Sequence, residues 1–123
     1  MTSDQKKDIK DILKCADDIS STSSQEKFLI SALLIYLYKT SPDRNFHWNA
    51  VISYLEKYAV IDENSSLSEP ELYHMIRKME DSETREIALK LYNAYSMGGN
   101  VRKTISDAIW DIGKYTGYEA YLS

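Results

Sequence analysis

The sequence predicts an all-α fold, a compact bundle of about six helices around one buried central helix spanning residues 26–39. Three observations carry this. Apolar residues recur at spacings of three and four along most of the chain, the period of a helix with one buried face. Only two prolines and four glycines interrupt 123 residues, and no stretch alternates with the period of a strand. The run Phe28–Tyr38, FLISALLIYLY, is apolar or aromatic at every position but Ser31. A helix apolar on all sides must be wrapped by other elements. At eleven residues this run is too short for a membrane span, which needs about 20.

The elements follow in chain order. Asp4–Ile19 places Ile9, Ile12, Leu13, Ala16 and Ile19 on one stripe, with Lys and Asp on the other faces. Ser20–Ser24 is a loop, and Ser24 is placed as the N-cap of the central helix. Thr40–Asn45 is a turn, because the residue before Pro42 disfavours helical backbone. A third helix, about Phe46–Tyr58, directs Trp48, Val51, Ile52, Leu55 and the following Ala59 to one face. The polar stretch Asp62–Ser66 follows. Ser68 with Glu71 matches a capping box, and Pro70 suits a first turn, so a fourth helix is predicted over Glu69–Met79. Its inward residues are Leu72, Met75, Ile76 and Met79. Ser82 is placed as cap of a fifth helix, Glu83–Met97, with Ile87, Ala88, Leu91, Ala94 and Tyr95 inward. Gly98-Gly99 ends it, since glycine reaches positive φ at little cost. Asn100 caps a sixth helix striped by Val101, Ile105, Ala108, Ile109 and Ile112. Gly113 and Gly117 weaken its end, from which Tyr115, Tyr118 and Tyr121 trail. With no internal repeat or linker, residues 1–123 are read as a single domain.

The formal net charge is −4, which argues against a surface that binds nucleic acid or anionic membrane over its whole extent. The charge is uneven. Residues 1–84 carry ten basic and fifteen acidic side chains; residues 85–123 carry five and four. An anionic partner is therefore least repelled by the C-terminal third. The lone Cys15 excludes an internal disulfide. No apolar signal-peptide core follows the polar N-terminus, so the chain is expected to be cytosolic. Ten tyrosines supply apolar area with a polar tip, suited to partly buried or docking surfaces.

The sequence offers no catalytic constellation, and the chain is read as non-enzymatic without a cofactor. His47 and His74 lack metal-ligand spacing, Cys15 is isolated, and the pairs Asp17-Asp18 and Asp62-Glu63 sit on polar stretches. Gly98 to Thr104, GGNVRKT, superficially resembles a phosphate loop. A true one needs a second glycine directly before the lysine and a buried strand before the loop. Here a helix precedes it, and nucleotide binding is rejected. A helix start carrying Arg102 and Lys103 remains suited to a nucleic-acid phosphate or an acidic side chain. Basic and aromatic residues interleave around it: Arg85, Lys90, Tyr92, Tyr95, Lys114 and Tyr115.

Several of these features occur together in one known family. The pieces are EKFLISALLIYLYKTSP (Glu26–Pro42), the Val51/Leu55 helix, and the acidic loop before Leu72. Ala88, Lys90, Tyr92 and Tyr95 then lead into Gly98-Gly99 and Lys103-Thr104-Ile105. From about residue 8 onward the chain resembles the all-α domain of conjugative coupling proteins of the TraG/TcpA type, especially those of Gram-positive elements. It has Asn100 where the family pattern places lysine, with Arg102-Lys103 following slightly later. The resemblance implies a domain excised from a larger ATPase, whose Walker motifs and membrane anchor lie outside it. It implies a type IV secretion substrate receptor at the cytoplasmic face, binding a relaxase, a relaxosome accessory protein or DNA, beside the motor domain of the same chain.

The binding residues expected on this basis are Asn100, Arg102 and Lys103, flanked by Lys90 and Lys114, on a domain expected to be monomeric. The competing expectation is a small stand-alone interaction protein, such as an immunity or toxin-neutralising protein. It would bind a basic partner through Asp62-Glu63 and the group Asp81, Glu83 and Glu86.

Overall fold

A computed structural model describes residues 3–20, 23–40, 48–60 and 69–116. Among them are six helices and no strand: α1 (Ser3–Ile19), α2 (Ser24–Thr40), α3 (Trp48–Tyr58), α4 (Glu71–Arg77), α5 (Ser82–Ser96) and α6 (Val101–Thr116).

The apolar run does what its composition demands. Leu29, Ile30, Ala32, Leu33, Leu34 and Ile35 are fully buried, with Leu37 and Tyr38 nearly so. α2 packs most extensively on α5, then on α1 and α6. α3 packs on α6 and α4, and α4 on α5. Each outer helix contributes one stripe to the shared core. Ile9, Ala16 and Ile19 come from α1, Val51, Ile52 and Leu55 from α3, Leu72 and Ile76 from α4, and Ile105, Ala108 and Ile112 from α6. Burying a single leucine or isoleucine of this kind is worth about 1.5–3 kcal/mol. The α1 stripe is fixed onto α2 by two polar contacts at its flanks. The Tyr38 hydroxyl donates to Asp8 Oδ2 at 2.6 Å, and Lys27 Nζ lies 3.3 Å from Asp17.

The helix starts differ from expectation in an instructive way. α2 is capped by Ser23, not Ser24: the Glu26 N–H donates to Ser23 Oγ at 3.2 Å. Ser23 and Glu26 have the serine-x-x-glutamate spacing of a capping box, which Ser24 lacks. α5 is capped by Asp81, not Ser82. The Asp81 carboxylate accepts from the Thr84 N–H at 3.1 Å and from the Thr84 hydroxyl. An aspartate outcompetes its serine neighbour because it accepts both bonds with full charge at the positive end of the helix. Those two bonds, with Lys39 at 3.9 Å, hold its carboxyl below the usual range.

α4 is shorter than the predicted Glu69–Met79. Pro70 stands at the cap position itself and supplies no side-chain bond, and the chain leaves the helix at Lys78. Met75 is only half-buried, while Leu72, Ile76 and Met79 face inward as expected. On α5 the inward face is rotated from the predicted one. Thr84, Ala88, Tyr92 and Tyr95 are buried, whereas Ile87, Leu91 and Ala94 are half-buried. α6 runs through Gly113, which is buried within it, as far as Thr116. Phe46, Ser68, Asp62–Ser66, Tyr118 and Tyr121 lie outside the described residues.

Candidate functional site

The α5–α6 corner is built by hydrogen bonds that close one helix and open the next. The Met97 N–H donates to the Asn93 carbonyl and the Gly98 N–H to the Tyr95 carbonyl, each at 3.1 Å. The two glycines here meet different constraints. Gly99 has φ +105°, a conformation that L side chains rarely adopt. Gly98 lies against the start of α2, where a Cβ would overlap Gln25 Cγ.

Asn100 then caps α6 as predicted. Its Oδ1 accepts from the Lys103 N–H at 3.0 Å, and its carbonyl accepts from the Thr104 N–H at 3.1 Å and hydroxyl at 3.0 Å. The Asn100 side-chain oxygen is thereby committed to the helix. Lys103 reaches Asp107 Oδ2 at 2.7 Å, and that bond together with the Asp107 charge raises its pKa, so it is a cation at neutral pH. Its side chain is still 63% exposed. Arg102 is exposed, and no ion pair holds it among the described residues.

Arg102 also stands at the rim of a cleft of about 380 Å³. The walls come from the ends of four helices: Ala59 and Val60 after α3, Pro70 before α4, Tyr73 on α4, Tyr92 and Tyr95 on α5, and Val101 on α6. The lining is mainly apolar. The Tyr92 and Tyr95 rings meet edge to face, with centroids 5.4 Å apart. Both are buried, which pushes the Tyr92 hydroxyl up to about 12 and raises that of Tyr95 further. The Tyr95 hydroxyl oxygen has no hydrogen-bond partner among the described residues. Glu69 shares the rim and lies 4.0 Å from His74 Nε2. Residues 61–68, which join Val60 to Glu69 in the chain, lie outside the described residues.

The predicted binding residues are thus not one cluster. Asn100, Arg102 and Lys103 lie together at the start of α6. Lys90 is exposed on α5, on a surface shared with Glu83 and Glu86, so its charge is locally opposed. Lys114 sits eleven residues beyond Lys103, about 16 Å along the helix. Its Nζ lies 5.3 Å from the centre of the Trp110 ring, a cation–π contact. The interleaved aromatics divide likewise. Tyr115 is half-exposed, but Tyr92 and Tyr95 are core residues, and Arg85 donates to the Met79 carbonyl at 3.0 Å. Trp110, 52% exposed, is an aromatic that the sequence reading passed over. Its signal was available: it falls off the Val101–Ile112 stripe and onto the solvent side.

Other chemistry is sparse. Among the described residues no group of three or more His, Cys, Asp or Glu is placed to hold a metal ion. Burial pushes the Cys15 thiol up, which lowers its thiolate fraction and its reactivity. Of the acidic groups expected to meet a basic partner, Asp81 is occupied as a cap, Glu83 and Glu86 are exposed, and Asp62-Glu63 lie outside the described residues. No described helix is long and apolar enough to cross a membrane. No family model, no curated protein and no solved structure matches the chain.

Proposed function

We propose that this chain is a non-catalytic recognition domain that presents its α5–α6 corner to an anionic partner. In the setting implied by its resemblance to coupling proteins, the partner is a relaxase, a relaxosome accessory protein or DNA, delivered to a neighbouring motor domain at the cytoplasmic face. The observation that carries the reading is the placement of Arg102. It is an exposed guanidinium beside a helix start and on the rim of a tyrosine-walled cleft. Lys103 adds a second exposed cation on the same turn. A guanidinium suits such a role because its fork of donors matches both carboxylate and phosphate.

The test is binding of single-stranded DNA, duplex DNA and a cognate relaxase to the wild type and to the double variant Arg102→Glu/Lys103→Glu. Both positions are exposed, so the variant is expected to fold. Affinity for the true partner should fall at least tenfold. If that partner is DNA, the slope of log affinity against log salt should shrink by about 2. Unchanged affinity for all three ligands would remove the corner from the site.

A further inference from the structure

We propose that the cleft behind Arg102 is an anchor pocket for an acidic protein segment. It takes one large apolar side chain of the partner, while Arg102 holds a carboxylate next to that side chain. This rests on the recognition reading above and narrows it, from any anionic partner to a protein.

The argument starts from size and lining. About 380 Å³ is at the small end of ligand-sized pockets, which run from about 300 to 1,000 Å³. It accommodates one aromatic or branched side chain rather than a whole helix. The walls of Ala59, Val60, Tyr73, Tyr92 and Val101 offer mostly carbon. Binding energy at protein interfaces concentrates where a single aromatic or aliphatic anchor fills a desolvated pocket.

Charge decides what flanks the anchor. Arg102 is the cation at the rim itself, and Lys103 on the same turn is paired with Asp107. Glu69 is an acid on the same rim, contributed by the segment before α4, so the positive side of the cleft is the α6 side alone. A carboxylate beside the anchor is therefore complementary to the α6 side of the rim. Nucleic acid fits less well. Base stacking needs open ring faces, and the Tyr92 and Tyr95 rings are buried edge to face. A phosphate chain would also need a row of cations. Here Lys103 is paired with Asp107, and Lys114 stands about 16 Å further along α6.

The experiment is an NMR titration of the ¹⁵N-labelled chain with two probes, N-acetyltryptophan, an anion, and N-acetyltryptophanamide, which is neutral. Both are expected to shift the amides of Val60, Tyr73, Tyr92 and Val101, the anion binding about three- to tenfold more tightly. Arg102→Gln should abolish that difference between the two probes. Ser96→Trp, at an exposed position lining the cleft, should block both probes while keeping a cooperative thermal transition. No cleft shift with either probe up to about 10 mM overturns the pocket. Equal affinity of the two probes in the wild type overturns the acidic requirement. Relaxase and oligonucleotide binding are measured on the same variants. If either ligand depends on Arg102 and Lys103 but is indifferent to Ser96→Trp, the pocket fails and the recognition reading stands. If the probes bind as expected but neither macromolecule binds, the recognition reading fails instead.

Discussion

Two tyrosines carry the sharpest residue-scale consequences. The Tyr95 ring is 2% exposed, and its hydroxyl oxygen is buried with no hydrogen-bond partner among the described residues. Leaving a buried polar group unsatisfied costs about 1–3 kcal/mol. Tyr95→Phe removes that group and keeps the ring, so stability should be unchanged or rise by up to about 1 kcal/mol. A loss above about 1 kcal/mol in urea melts would show that the hydroxyl makes a bond in solution. Tyr92 bears on pH. Its burial, with smaller contributions from Glu69 and Tyr73, raises its hydroxyl from 10.0 to about 12. Between those values the unfolded chain has released the proton and the folded one has kept it. The Tyr92 contribution to stability is therefore present below pH 10 and is lost as pH rises toward 12, by about 2–3 kcal/mol, and the raised Tyr95 hydroxyl adds a loss of the same sign. Tyr92→Phe should make that decline shallower in melts at pH 9 to 12, leaving the part that Tyr95 supplies. The same steepness in the variant would assign it to other groups.

At the scale of the element, the helices are decided by their ends. Ser23, Asp81 and Asn100 each give a side-chain oxygen to a backbone N–H three residues on. Each thereby satisfies one of the four donors that a helix start leaves unpaired. Asn100→Ala should lower stability by about 0.5–2 kcal/mol. Asn100→Asp, which retains the acceptor and adds charge at the positive end of α6, should hold the wild-type melting temperature. Partner affinity should follow Arg102 far more closely than Asn100, because the Asn100 oxygen is already engaged. An Asn100→Ala variant with full stability but tenfold weaker partner binding would reverse that assignment.

At the scale of the whole molecule, α2 is the centre on which α1, α5 and α6 converge. Leu33 is fully buried at its midpoint. An aspartate there would be a buried, unpaired charge, costing several kcal/mol against a total stability of about 5–15 kcal/mol. Leu33→Asp should therefore show no cooperative thermal transition by circular dichroism. A transition near the wild-type midpoint would displace α2 from the centre.

The amino-acid sequence by itself determined the helical class, the central position of the Phe28–Tyr38 run, four of the five outer-helix stripes and the Gly98-Gly99 corner. These are local properties. A period of 3.6, an uninterrupted apolar run and a glycine that must take positive φ are all readable from neighbours in the chain. It also carries the cap of α2, in the serine-x-x-glutamate spacing of Ser23 and Glu26. Only the tertiary structure decided the rest. The inward face of α5 turned toward Thr84 and Tyr92, because α2 and α4 both press on it and select the buried arc between them. Of the five candidate binding residues, Asn100, Arg102 and Lys103 stay together at the start of α6, while Lys114 falls about 16 Å along the helix and Lys90 lies on another helix beside Glu83 and Glu86. The cleft was invisible in the sequence as well. Its walls come from the ends of four helices, residues 59 to 102, and no local pattern in the chain records where those ends meet.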